Sequence, residues 1–278
     1  MIFASDLDQT LIYSPKSFRL LPELMPAVSP IERYDGRDIS FMADDAIAKL
    51  KKIASQSTFV PVTTRTIDQY RRISLFHQAI IPAYGVVSNG GNIIVDGAVD
   101  HTWQKQVLIN RSQMCLCPED MLAGFNEIRH ESWAGPMKMA DNLFYYCVVE
   151  RDKVPLKDIE SFASWAEQQQ WSVSLQGRKL YIVPQVVNKG AAVAYLRDIL
   201  QEKLVIAAGD SLLDLCMLEQ ADYAISPCHG ELWDRYSQGQ LPTQAMKFTK
   251  RAGILAANDI LDYVDEHVEA GSVLEMRA

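Results

Sequence analysis

Cysteine is scarce in this chain. There are five in 278 residues, an odd number, at Cys115, Cys117, Cys147, Cys216 and Cys228. That excludes a disulfide framework for a domain of this size and fits a reducing cytoplasm. The Cys115-x-Cys117 pair with His130 downstream lacks the second ligand pair of a zinc site and reads as free thiols. Basic excess is missing as well: 27 Lys and Arg face 35 Asp and Glu, a net charge of −8. No general attraction to nucleic acid or to an anionic membrane is expected. No apolar run is long enough to span a bilayer, and Met1 to Ser5 run straight into Asp6 and Asp8 without the basic and apolar regions of a signal peptide. Neither a P-loop nor a dinucleotide fingerprint occurs, so ATP or NAD dependence is unsupported. His77, His101, His130, His229 and His267 are scattered with no evident Ser or Cys partner, which argues against a nucleophilic triad.

What remains is an ordinary folded composition, 48% hydrophobic and 22% charged, long enough for one large domain or two modest ones. Short apolar runs at Ile2 to Ser5, Thr58 to Val62 and Leu204 to Ala208 have the length and continuity of buried parallel strands. Amphipathic helical patterns occupy 43–55, 67–78 and 190–201. Alternating strands and helices imply an α/β fold, a doubly wound, Rossmann-like parallel sheet. From about Asn92 to Pro184 the pattern changes. Hairpin signals at 93–97 and 171–183 bracket helix candidates at 119–130 and 156–169 and a strand at 143–149. No repeat or low-complexity linker intervenes, so the expectation is a core of residues 1–90 and 185–278 carrying an inserted α+β cap domain at 91–184. A smaller excursion, Pro15 to Phe41, reads as a hairpin flap. Arg33, Tyr34 and Arg37 there, like Arg178 and Lys179 in the cap, read first as solvated turn residues.

Asp6-Leu7-Asp8-Gln9-Thr10 directly follows the first strand, beyond the carboxyl end where open α/β sheets bind ligands. The two-residue strand repeat sends Asp6 and Asp8 to one side, and two carboxylates so close call for a hard divalent cation, Mg²⁺ above all. Thr63 and Thr64, followed by Arg65, end the second strand with hydroxyls and early-turn N–H groups suited to phosphate. Asn188-Lys189-Gly190 brings a cation. Asp210 and Asp214 stand four apart after the last apolar strand, on one face of a helix that starts there. Four strand ends thus supply the parts of a metal-assisted phosphoryl-transfer site acting on a small phosphorylated metabolite.

In that order and spacing, Asp6-x-Asp8-x-Thr10-Leu11, Thr63, Lys189 and Gly209-Asp210-Ser211-x-x-Asp214 resemble the four motifs of the haloacid dehalogenase-like (HAD) phosphatase superfamily over nearly the whole chain. The insertion, with Ser88-Asn89-Gly90 before it, resembles the type IIB cap of Cof-like and sucrose-phosphatase-like members. The resemblance implies that Asp6 attacks phosphorus, that Asp8 serves as general acid and then base, and that Thr10 helps orient Asp8. It implies Mg²⁺ at the Asp6 carboxylate, the Asp8 carbonyl and Asp210, with Asp214 supporting the metal's water shell, and Thr63 and Lys189 on the phosphoryl oxygens. Three positions depart from the pattern: Gln9 and Thr64 stand where glycine is common, and Leu213 where asparagine is frequent. A sugar phosphate is the favoured substrate. A phosphomutase or phosphotransferase using the same aspartyl-phosphate, and a regulatory partner-binding protein that keeps the fold, are the alternatives.

Overall fold

A computed structural model describes residues 1–241 and 246–275, with side chains through 268. In chain order the elements are β1 (Ile2–Ser5), β2 (Val28–Tyr34), β3 (Arg37–Ala43), α1 (Asp44–Gln56), β4 (Thr58–Pro61), α2 (Ile67–Arg71), α3 (Leu75–Gln78), β5 (Tyr84–Val87), β6 (Asn92–Val95), β7 (Ala98–Val99), α4 (His101–Met114) and α5 (Pro118–Asn126). There follow β8 (Lys138–Ala140), β9 (Phe144–Val148), α6 (Leu156–Gln168), β10 (Trp171–Gln176), β11 (Lys179–Pro184), α7 (Lys189–Leu200), β12 (Val205–Ala208), α8 (Leu212–Leu218), β13 (Tyr223–Ser226), α9 (Glu231–Ser237), β14 (Met246–Phe248) and α10 (Ala256–Glu275).

They form two compact units, residues 1–99 with 189–278, and residues 100–188. In the first, five parallel strands run in the order β14-β13-β12-β1-β4. The apolar runs behave as their composition demands: every residue of β1 and β12 is buried, because helices cover both faces of such a sheet. On α1, Ala46, Leu50 and Ile53 are buried in this core. β12 and β4 lie on opposite sides of β1, and the chain reaches them by different routes. The crevice at the carboxyl end of β1 is therefore the topological switch point where α/β sheets place their ligands.

Two sequence expectations are corrected in this unit. The hairpin of β6 and β7 belongs to it rather than to the insertion, since β6 pairs with β5 from Tyr84↔Val95 to Val87↔Asn92. The helix expected over 67–78 breaks into α2 and α3. Ile73 is fully buried between them, and Ser74 N donates to the carbonyl of Ile31 in β2 at 2.8 Å, so the flap draws the chain out of helical register. The flap itself is the β2–β3 antiparallel hairpin.

The second unit is a four-stranded antiparallel sheet, β10-β11-β9-β8. One face packs Tyr145, Cys147, Leu180 and Ile182 with the buried Phe125 of α5 and Phe162 of α6. On the other, Tyr146 and Tyr181 stack with centroids 6.1 Å apart, and Lys179 lies over the Tyr146 ring. Arg178 is exposed in the β10–β11 turn. Among the described residues no helix is long and apolar enough to cross a membrane.

Candidate active site

Asp6 leaves β1 with its N–H donating to Ala208 O at 2.8 Å, which ties it to the end of β12. Leu7 is wholly buried, and its carbonyl accepts from the N–H groups of Thr10, Leu11 and Ile12 at 2.9 to 3.1 Å. This tight turn puts Gln9 at φ 65°, a conformation that favours glycine at that position. Gln9 tolerates it with help. Its carbonyl accepts from Tyr13 Oη at 2.9 Å and His229 Nε2 at 3.0 Å, and Arg19 Nη2 donates to its Oε1 at 3.3 Å.

The turn folds Thr10 back over Asp6. Thr10 Oγ1 donates to Asp6 Oδ2 at 3.2 Å, so this hydroxyl orients Asp6. Asp6 Oδ1 accepts from Lys189 Nζ at 2.6 Å, and the same ammonium donates to Asp214 Oδ1 at 2.5 Å. Lys189 opens α7, the helix start expected there, but the strand before it, β11, belongs to the antiparallel sheet and not to the parallel one as expected. Asp214 Oδ2 accepts from the backbone N–H of Asp210 and Ser211 and from Ser211 Oγ, at 2.8 to 3.2 Å. Both of its oxygens are thus occupied by protein donors, and it acts on the cluster by holding Lys189 and the 209–211 turn. The approach is close enough that a Cβ at Gly209 would sit 2.4 Å from Asp214 Cβ. On the other side of Asp210, Gly230 at φ 90° leaves room that a Cβ would take 2.8 Å from its Oδ2.

Asp6, Asp210 and Asp214 each offer an oxygen, all within 4.8 Å of one another, and all three are buried. Burial pushes the Asp6 carboxyl up to about 7, with the Asp214 charge adding to the rise and Lys189 opposing it. Burial, then the charges of Asp6 and Asp214, push Asp210 up as well. Burial works against the Lys189 charge, but its two carboxylates outweigh that and raise it. One buried ammonium does not balance three buried carboxylates, and an all-oxygen donor set with surplus negative charge fits a hard divalent cation.

The other expected residues lie at the same end of the sheet. Val62 N donates to Ser5 O at 2.7 Å and Thr63 N to Val86 O at 2.8 Å, which carries Thr63 off β4 one residue past the position opposite Asp6. Its Oγ1 accepts from Arg65 N at 3.1 Å. Thr64 is half-buried in the same turn. Asp8 faces elsewhere: its carboxylate, 52% exposed, accepts Arg65 Nε at 2.7 Å and Nη2 at 2.8 Å.

Sequence reading missed His229. It is 3% exposed, Nε2 donates to Gln9 O, and Nδ1 accepts from Gly253 N at 3.1 Å. Both nitrogens are used by the neutral ring, and burial lowers its pKa to about 4. Below pH 6.5 the unfolded chain binds a proton that the native one refuses, so this residue costs stability as pH falls from 6.5 to 4, by up to roughly 3 kcal/mol. His229→Gln is therefore expected to be less stable than the parent at pH 7, with a gap that narrows by pH 4.5 in urea melts. A constant gap would contradict the assignment.

Over residues 1–257 the chain matches the family model of sucrose-6F-phosphate phosphohydrolase. No curated protein matches it in sequence. Among solved structures it is similar to the sucrose-phosphatase of Synechocystis sp. PCC6803 in complex with sucrose and phosphate, at a TM-score of 0.68 and 14% identity over 95% of this chain and 98% of that one. It is also similar to a HAD subclass IIB sugar phosphatase (TM-score 0.57, 12% identity, 96% and 98% covered). A haloacid dehalogenase-like hydrolase from Bacteroides thetaiotaomicron is comparable (TM-score 0.56, 13% identity, 95% and 98% covered). At these identities the structural likenesses speak for the fold.

Proposed function

The chain belongs to the sucrose-6F-phosphate phosphohydrolase family of HAD-like phosphatases, and from that premise we propose that it is a Mg²⁺-dependent sugar phosphatase working through an aspartyl-phosphate on Asp6. The observation that carries this reading is the seating of Asp6. It stands at the switch point with each oxygen held by one donor, Lys189 and Thr10, and Asp210 beside it.

A lone pair on an Asp6 carboxylate oxygen forms the bond to phosphorus. The ester P–O pair departs with the sugar oxygen, which takes a proton from Asp8. Water then attacks the acyl-phosphate, giving a proton to Asp8 and returning Asp6 as carboxylate with free phosphate. Lys189, fixed between Asp6 and Asp214, offers positive charge to the phosphoryl oxygens, and the Thr63 hydroxyl, with the N–H groups of Thr64 and Arg65, offers donors. The carboxylates of Asp6 and Asp210 and the Asp8 carbonyl would hold the metal, with Asp214 behind them. Bound there, Mg²⁺ would neutralise charge on the transferring group.

The substrate we favour is a small sugar phosphate, with sucrose 6F-phosphate the first candidate because the matching family is described by it. The test is phosphate release from a panel of sugar phosphates with Mg²⁺ and with EDTA, no acceptor added. We expect release from at least one sugar phosphate that falls by about 100-fold or more in EDTA. Equal rates with and without metal, or transfer only when an acceptor sugar is supplied, would overturn the proposal.

A further inference from the structure

Beneath the flap lies a buried ionic network that the reaction above does not use. The Glu32 side chain on β2 is fully buried. Its Oε2 accepts from Arg65 Nη1 at 2.6 Å and from Ser40 Oγ of β3 at 2.6 Å, and its Oε1 accepts from Arg72 Nε at 3.1 Å. Arg65 Nη2 also reaches Ser40 Oγ at 3.2 Å. The remaining edge of the same guanidinium is the fork on Asp8. Arg65 is 12% exposed, so one planar group joins a buried flap carboxylate to a half-exposed carboxylate at the site.

Two considerations favour a role beyond stapling the flap. A buried charge is costly to desolvate, and well-packed apolar residues of similar volume hold a fold together as well or better, so an internal Glu with two arginines is weak evidence for stability. A bidentate Arg fork also fixes the plane of a carboxylate only when the long arginine side chain is itself immobilised. Here the third nitrogen is anchored on Glu32, which Ser40 holds in turn. The chain of contacts runs Ser40, Glu32, Arg65, Asp8.

We propose that Arg65 is a positioning residue for Asp8, and that Glu32 and Ser40 of the β2–β3 flap set Arg65, so that the flap aims the carboxylate that exchanges a proton with the sugar oxygen. This rests on the proton-transfer role given to Asp8 above.

The experiment compares kcat/KM for two esters on the same protein samples: a sugar phosphate, whose alkoxide needs a proton, and p-nitrophenyl phosphate, whose phenolate leaves without one. For a double-displacement enzyme kcat/KM reports the steps through loss of the alcohol, and the ratio of the two values cancels any difference in folded fraction. Asp8→Asn is expected to lower the ratio by about 100-fold or more, the contribution of a general acid. Glu32→Gln is expected to lower it by about 10-fold, as for loss of an orienting partner, with KM for the sugar phosphate little changed, and Ser40→Ala to shift it the same way by less. An unchanged ratio in both flap variants while Asp8→Asn moves it overturns the inference and leaves the role of Asp8 intact. So does a rise, which would mean the fork withholds Asp8. An unchanged ratio in Asp8→Asn overturns the underlying reading instead.

Discussion

Asp6→Asn is expected to abolish phosphate release, by at least about 10⁴-fold, because a nucleophile that forms a covalent intermediate has no substitute in the mechanism. The fold is expected to survive, for reasons visible in the hydrogen bonds. An asparagine oxygen can accept from Lys189 as Asp6 Oδ1 does, and its NH₂ can donate to Thr10 Oγ1, which now donates to Oδ2. The substitution also removes a buried carboxyl that burial, with the Asp214 charge adding to it, holds up at about 7. The metal-free variant should therefore melt no lower than the parent. Phosphate release followed by a continuous assay, with circular dichroism melts on the same samples, checks both halves. Turnover within about 10-fold of the parent contradicts the assigned nucleophile.

The largest effect on stability is expected at Lys189. It is 1% exposed, and its ammonium is shared by the buried carboxylates of Asp6 and Asp214. Lys189→Met fills much of the volume but leaves two carboxylates buried without their cation, which should cost about 3–5 kcal/mol in the metal-free protein. The deficit should depend on pH. Without the ammonium, which opposes the rise of the Asp6 carboxyl, that group rises further, the native state binds more protons than the unfolded one, and stability recovers as pH falls. Urea melts in EDTA at pH 8 and pH 5.5 are therefore expected to show a large gap from the parent that shrinks at the lower pH. A gap under about 1 kcal/mol at pH 8, no more than a solvent-exposed ion pair contributes, would contradict this role for Lys189.

The parts of this molecule legible in the sequence are those whose signal is local. β1, β4 and β12 announce themselves as short apolar runs, because a strand covered on both faces has no polar positions. Asp6 and Asp210 stand out because carboxylates interrupt those runs where the strands end. Asp214 follows from helical spacing. By contrast α4 buries only Trp103 and Val107 of its fourteen residues, so its periodicity gives almost no signal.

The site details that escaped reading depend on contacts between distant segments or on backbone turns. Glu32 looks like any polar residue of a flap strand, since its partner Arg65 is 33 residues away. His229 supports Gln9 across 220 residues. Thr10 serves Asp6 because the Leu7 carbonyl gathers three N–H groups and reverses the chain, which the spacing of the motif does not convey. The flap also explains why 67–78 is two helices: Ile31 takes the Ser74 N–H that a continuous helix would keep.

Covalent catalysis by Asp6 is tested most directly by rapid-quench mass spectrometry of the wild-type protein. Mixed with Mg²⁺ and a hydrolysed sugar phosphate and quenched in acid within the first turnover, the N-terminal peptide should carry one phosphoryl group on Asp6, appearing before free phosphate and missing from Asp6→Asn. Free phosphate formed in that first turnover with no adduct on Asp6 at any quench time, or with the phosphoryl group on another side chain, would contradict it.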